Sequence, residues 1–300
     1  MAALQPLPRG LINDGRTCAW NSVLQGYLPL LSPGMVDRLC ADAESSVPNT
    51  RLVARAILDT LLQLIEPNNP TPVDSLFTKA CQAVFPEFGP GRQHDAAELH
   101  GAVLELLPGL QYFFSGTASF STTCASCGTT RPTPSERFDI VHVPLGVGVT
   151  NLLDEFEGVF LPSPMHGREQ QHCGECGGLR DGERTLAVET VPPILCLQLL
   201  RFDNRGRKDA RPVDYDSLFV ADALFSEPYV LRATVSHDGA TRHSGHYTGR
   251  VFDARRQEWV TCDDRSVTIA ANEHAEQAYL LFFQVCIGWC GFFLGFFLFY

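Results

Sequence analysis

The stretch Gly10-Leu-Ile-Asn-Asp-Gly-Arg-Thr-Cys18-Ala-Trp-Asn-Ser-Val-Leu-Gln25 sets a cysteine behind a glycine-punctuated loop, where the sequence turns helical. A cysteine attacks a carbonyl only as its thiolate, a minor species at an ordinary pKa of about 8.5, so it needs an imidazole or the positive end of a helix beside it. A helix predicted to start near Ala19 supplies the second. The first comes from the far end of the chain, where His243-Ser-Gly-His246-Tyr is followed by Trp259-Val-Thr-Cys-Asp263-Asp264. His246 is the candidate base, and Asp263 the carboxylate that would hold its ring in the productive tautomer. Asn13 is placed to donate, with the Cys18 backbone N–H, to the oxyanion formed on attack. Together these residues predict a thiol protease.

Each residue alone has a plainer reading. A cysteine near an N-terminus is usually a small buried apolar side chain, as expected here for Cys40, Cys81 and Cys196. The flanking sequence decides against that reading for Cys18. Gly10-Leu11, Asn13, Gly15, Thr17-Cys18, Asn21-Ser22 and Leu24-Gln25 resemble the cysteine box of the ubiquitin-specific proteases, the USP family of papain-like cysteine proteases. The resemblance continues in the family's order. It takes in Gln93-His94-Asp95-Ala96-Ala97-Glu98-Leu99, Pro193 to Phe202, Tyr229 to Val235, the histidine box and Ala278 to Phe283. It implies Cys18 as nucleophile, His246 as general base, Asp263 as third triad member, Asn13 as oxyanion residue, and Asp264 as a second acid able to share the polarising role. It also implies an α+β fold with a helical thumb, zinc-knuckle fingers and a β-sheet palm. Two positions depart from the family. Arg16 stands where Asn or Gln is usual, and Ala19 where an aromatic is, which bears on catalytic efficiency and leaves a weakly active ubiquitin-binding pseudoenzyme as an alternative.

A second constellation is Cys124-Ala-Ser-Cys127 and Cys173-Gly-Glu-Cys176. Each Cys-x-x-Cys turn brings two sulfurs to one point, and two turns supply the four-thiolate shell of a closed structural zinc site. Paired disulfides or a redox dithiol are the rivals. Residues Met1 to Gly10 lack the apolar core of a secretory signal, which favours a cytoplasmic setting where thiols stay reduced. One zinc ion is therefore expected, with His172 a less favoured substitute ligand. In the USP resemblance the site lies at fingertips that grip ubiquitin.

The chain of 300 residues is 45% hydrophobic, enough for a substantial core. Its 23 basic and 34 acidic residues give a net charge of −11, which argues against a nucleic-acid surface and suits a basic partner. Ubiquitin's arginine-bearing tail would be one, though a ubiquitin-like modifier remains an alternative. Apolar residues at helical spacing predict helices over 51–66, stopped by Pro67, and 94–107, ended by Pro108-Gly109. From Phe138 the pattern becomes that of short strands: 194–202, 229–236, 247–252 and 258–262. Residues 67–72 and 203–216 read as loops. The expected division is a catalytic domain over 1–284, with the thumb over 1–112 and fingers and palm over 113–284, acting as a monomer. Residues 285–300, uncharged and rich in phenylalanine, form a separate apolar tail. As a helix the tail would span about 24 Å, short of a hydrocarbon core of about 30 Å. It reads as a membrane-seeking segment; an added core or partner-binding element, and a sequence foreign to the working protein, are its rivals. Membrane association or a nuclear location would modify the cytoplasmic assignment.

Overall fold

The computed structural model describes residues 7–286 apart from 67–68, 70, 90–92, 147, 149–150, 216–217, 220–227, 242–243 and 271–276. The apolar tail from 287 onward and His243 thus lie outside the described residues. The N-terminal part is helical. Helix α1, Cys18–Tyr27, is buried along its whole length. It exposes no residue to water, even Asn21, Ser22 and Gln25 being buried, and lies with helices on one side and sheet on the other.

Helix α2, Pro33–Ala43, opens on a Ser32 side chain that accepts the Met35 N–H, with Pro33 in the first turn where a missing N–H costs nothing. Its Met35, Leu39 and Ala43 face the core. Cys40, one position past Leu39, is therefore rotated outward and exposed, correcting its expected burial, whereas Cys81 and Cys196 are buried. Helix α3, Pro48–Leu64, starts earlier than residue 51 because Pro48 opens it. Helix α4, Leu76–Val84, is capped by Ser75. Helix α5, Ala96–Leu106, is capped by Asp95, whose carboxylate takes the Ala97 and Glu98 N–H groups. Pro108-Gly109 does end α5, but it also begins a helix that the sequence pattern did not suggest, α6 over Pro108–Phe114. A Cβ on Gly109 would lie 2.6 Å from the Arg38 carbonyl oxygen, so only glycine lets α6 dock on α2 there.

Strands begin at Gly116, not Phe138. They are β1 (Gly116–Cys124), β2 (Thr130–Pro132), β3 (Glu136–Phe138) and β4 (Val141–Pro144), then helix α7 (Leu152–Phe160), then β5 (Ser163–Met165), β6 (Gln171–Cys173), β7 (Gly178–Arg180) and β8 (Gly182–Thr190). β1 and β8 pair antiparallel along their length, with β2, β3 and β5 on their flanks. This ribbon forms the fingers. β1 reads Gly-Thr-Ala-Ser-Phe-Ser-Thr-Thr-Cys and is half-buried almost throughout, so it lacks the apolar alternation that marks a one-faced strand.

The palm contains β9 (Ile194–Leu200), β10 (Leu218–Phe219), β11 (Tyr229–Thr241), β12 (Ser244–Asp253), β13 (Glu258–Asp263), β14 (Ser266–Ile269) and β15 (Ala278–Val285). The strand order is β14-β13-β12-β11-β15-β9-β4, with β10 on β11. Only the β4–β9 pairing is parallel among the described strands. Both faces of the sheet are covered. In β9, Ile194 and Cys196 join the core under the thumb, while Leu195, Leu197 and Leu199 join a second core under α7. The same alternation sends Leu280 and Phe282 of β15 one way and Leu281 and Phe283 the other. Two-sided burial explains why these strands read as unbroken apolar runs. β15 continues to Val285, past the expected end at Gln284: the Val285 N–H bonds the Pro193 carbonyl and the Cys286 N–H the Pro228 carbonyl.

The loop from Asp203 to Tyr215 is tied down by Arg201, which is buried. Its guanidinium donates to the carbonyls of Ala278, Asp209 and Arg211 at 2.6, 3.1 and 2.8 Å. The Arg-Phe that ends the β9 run is thus a structural anchor.

Candidate active site and cysteine cluster

Helix α1 packs against β12, β11 and β13, so its N-terminus and the end of the palm hairpin meet at one point. Cys18 is the first residue of α1. Its thiol is pushed up from its ordinary pKa by burial first; the Tyr247 backbone N–H pulls it down, the Asp264 charge pushes it up, and the Ala19 and Cys18 backbone N–H groups pull it down. Desolvation thus outweighs the backbone donors at the helix end, and the thiol is held above its ordinary acidity range. The Tyr247 N–H that bonds the sulfur is one residue beyond His246, which places the two side chains' backbones side by side.

His246 stands in β12 and Asp263 at the end of β13. The imidazole Nε2 lies 2.6 Å from Asp263 Oδ1 and 3.9 Å from Asp264 Oδ2. Nε2 is thereby committed to the carboxylates, and Nδ1 is the nitrogen left for proton exchange with a thiol. Adjacent residues on a strand point to opposite faces, yet both acids serve this site. The reason is the backbone at Asp264, which has a φ of 49° in the turn between β13 and β14. Aspartate tolerates that left-handed conformation better than most residues.

Asp264 reaches across to the thumb. Its Oδ2 accepts from Asn13 Nδ2 at 2.6 Å and its Oδ1 from Asn21 Nδ2 at 2.7 Å, while its carbonyl accepts the Leu11 N–H at 2.7 Å. Asn13 is held from the other side too, since its Oδ1 collects the Gly15 N–H, the Thr17 N–H and the Thr17 hydroxyl at 2.7, 3.0 and 3.1 Å. Three donors on one atom fix the amide and aim its NH₂ at the palm. One N–H is spent on Asp264, and the second is the one available to an oxyanion. Gly10 permits the close approach, because a Cβ there would lie 2.3 Å from the Arg265 carbonyl oxygen. Asn21 was quoted in the sequence only as part of a motif. Its role is tertiary, and its polar side chain, shared on this helix with Ser22 and Gln25, did not by itself signal it. Arg16 is exposed and Ala19 buried at the start of α1.

The cysteine pairs meet at the far end of the fingers, where Cys124 closes β1 and Cys173 closes β6. One thiol sulfur from each of Cys124, Cys127, Cys173 and Cys176 lies within 4.8 Å of the others. Cys124 to Cys176 is 3.9 Å and Cys127 to Cys173 is 3.6 Å. A tetrahedral zinc with Zn–S bonds of about 2.3 Å sets its sulfurs about 3.8 Å apart, whereas a disulfide needs about 2 Å. The four sulfurs therefore fit a zinc ion and are not bonded to one another. Their acidities are at odds: Thr129 leads the groups that pull Cys127 down to about 6, while the bond from Cys127 leads those that push Cys176 up to about 12. A dication at the centre would let all four ionise. His172 is exposed and stands outside the cluster.

Comparison with known proteins agrees with this architecture. The UCH family profile, "Ubiquitin carboxyl-terminal hydrolase", matches residues 9–283. Ubiquitin carboxyl-terminal hydrolase 26 of Arabidopsis thaliana is 27% identical over 299 residues, which cover 90% of this chain and 27% of that protein. Ubiquitin carboxyl-terminal hydrolase 17-like protein 20 of Homo sapiens is 27% identical over 310 residues, covering 91% of this chain and 55% of that protein. The chain thus spans between about a quarter and about half of the length of these curated relatives. Among solved structures, a chain of a SAGA DUB module with Ubp8, Sgf11, Sus1 and Sgf73 bound to monoubiquitin superposes with a TM-score of 0.80 at 21% identity, covering 93% of this chain and 69% of that one. The same module bound to ubiquitin aldehyde gives 0.78 at 20% identity, covering 95% and 71%. With thumb, fingers and palm in place and the profile running over nearly its full length, the chain belongs to the ubiquitin carboxyl-terminal hydrolase family.

Proposed function

We propose that this chain is a thiol-dependent deubiquitinase that hydrolyses the isopeptide or peptide bond after the terminal glycine of ubiquitin. The observation that carries the reading is the 2.6 Å contact between His246 Nε2 and Asp263 at the start of α1, beside a buried cysteine thiol. In this reading His246 takes the Cys18 proton through Nδ1 as the sulfur attacks the glycine carbonyl. Asp263 stabilises the imidazolium, and the Cys18 N–H and Asn13 Nδ2 meet the oxyanion. The imidazolium then protonates the leaving amine, and the thioester on Cys18 is cleaved by water activated by the same ring. Burial, which raises the pKa of the Cys18 thiol, favours as a second reading a ubiquitin-binding protein that turns over slowly. Ubiquitin and ubiquitin-like proteins carrying a C-terminal electrophile, read by intact mass, separate these readings. An adduct with ubiquitin on Cys18 is expected; an adduct with a ubiquitin-like protein alone changes the modifier, and an adduct on another cysteine overturns the triad.

The four cysteines in this proposal hold one structural zinc. The ribbon has little core of its own, and a short ribbon without one is marginal in water. When bound, the metal contributes folding free energy and no chemistry. Purified protein should contain close to one zinc per chain. Cys173→Ser should lower the thermal midpoint of the fingers and their solubility well before it slows alkylation of Cys18, as metal analysis and hydrogen exchange would show. Folded, active protein without metal would exclude the site.

Among the described residues no helix is long and apolar enough to cross a membrane. The proposed membrane contact therefore rests on the sequence from residue 287 onward, in an enzyme otherwise cytoplasmic and monomeric. Because Val285 and Cys286 are bonded into the palm, truncation after Cys286 should leave ubiquitin cleavage unchanged and move the protein from the membrane fraction to the cytosol. A full-length protein already soluble and monomeric would refute the anchor.

A further inference from the structure

We propose that Gln93 is a positioning residue for His246, acting through the backbone of Gly245. The Gln93 side-chain amide makes both of its bonds to one residue: Nε2 donates to the Gly245 carbonyl and Oε1 accepts the Gly245 N–H, each at 2.9 Å. This is the pair of bonds that a neighbouring strand would make, and among the described residues no strand pairs with Gly245. β12 pairs with β13 only from Gly249 onward. Toward β11 the register slips between Asp238, which faces His246, and Thr241, which faces Ser244, so Gly245 falls in the irregularity. The tip of the hairpin that carries His246 is thus completed by a side chain from the thumb.

Gln93 is itself held in place. His94, next in sequence, is buried, with Nε2 3.1 Å from the Gly89 carbonyl and its ring against Phe88. Asp95 caps α5 with one oxygen and accepts the Tyr279 hydroxyl at 2.6 Å with the other. On the opposite side Gly245 is pressed against His237, whose Nε2 would lie 2.3 Å from a Cβ at that position. The His237 ring stacks edge-on against Tyr247 with centroids 4.7 Å apart. Gly245 and Tyr247, the two neighbours of His246, are therefore both fixed, while the imidazole is partly exposed and its Nε2 faces the two carboxylates. Removing the Gln93 clasp would free one side of the loop, and a misplacement of about 1 Å at a reacting group can cost about 10²-fold in rate.

The proposal rests on His246 being the base of the reaction above, and the test keeps the two apart. Full-length protein, Gln93→Met and Gln93→Glu are compared by kcat and KM on ubiquitin with a fluorogenic C-terminal amide, by the pH profile of Cys18 alkylation with iodoacetamide in the absence of ubiquitin, and by thermal midpoint. Methionine keeps the length and loses both bonds; glutamate keeps the acceptor for the Gly245 N–H and loses the donor. We expect kcat to fall about 10- to 100-fold in Gln93→Met, less in Gln93→Glu, with KM within about twofold and a shifted alkylation profile in both. Should the methionine variant not fold, the glutamate variant carries the same test. Unchanged kcat with an unchanged alkylation profile overturns the proposal, as does a raised KM with kcat intact, which would make Gln93 a substrate contact. A wild-type alkylation profile indifferent to His246→Gln would instead overturn the role given to His246.

Discussion

Cys18→Ala should abolish hydrolysis, with kcat reduced on the order of 10⁵-fold or more, because the triad acts as a unit and loss of its nucleophile removes the covalent step. Binding of ubiquitin should survive almost unchanged. A specific protein contact buries on the order of 1,600 Å², and the substitution removes one sulfur from a residue that is only 3% exposed. The cost to folding should be small, about 1 kcal/mol, since α1 keeps its other buried side chains. Single-turnover kinetics and titration calorimetry on the same preparation check both halves. Residual turnover within tenfold of wild type would mean that the chemistry lies elsewhere, and loss of binding would mean that Cys18 shapes the ubiquitin site.

The second large effect separates the two acids. Asp263→Asn should lower kcat by about 10⁴-fold, because an amide at that place stabilises the wrong imidazole tautomer. Asp264→Asn should behave differently. Asp264 takes hydrogen bonds from both Asn13 and Asn21, and an amide can accept only one of them while turning its own NH₂ toward the other. We expect a loss of about 10²- to 10³-fold in kcat, the cost of displacing one oxyanion donor. A fall in stability of about 1–3 kcal/mol from an unsatisfied polar contact should accompany it. Denaturant titration beside kinetics reads the two effects. If Asp264→Asn is the more damaging in kcat with stability intact, Asp264 is the residue that orients His246.

The difference between these acids shows where the sequence stops. Cys18, His246, Asp263 and the cysteine pairs were all legible, because each carries chemistry in its residue type and sits in a recognisable spacing. The helices over Pro48–Leu64 and Ala96–Leu106 and the apolar palm strands were legible from period. α6 was not, since a Pro-Gly pair signals an end more strongly than a start. β1 was not either, because a ribbon wet on both faces has no apolar alternation to detect. The exposure of Cys40 depended on which face of α2 met its neighbours.

The sequence by itself determined the family, the candidate reacting groups and the end of the chain that supplies each. Those are matters of which residues are present and in what order. Tertiary structure alone decided that Asp264 goes to Asn13 and Asn21, that burial holds the Cys18 thiol up, and that Gln93 bonds the backbone of Gly245. Each depends on partners far apart in sequence: Gln93 and Gly245 are separated by 152 positions, and Asn13 and Asp264 by 251. Hydrogen-bond geometry and desolvation depend on where atoms lie in space, and local patterns of residue type carry neither.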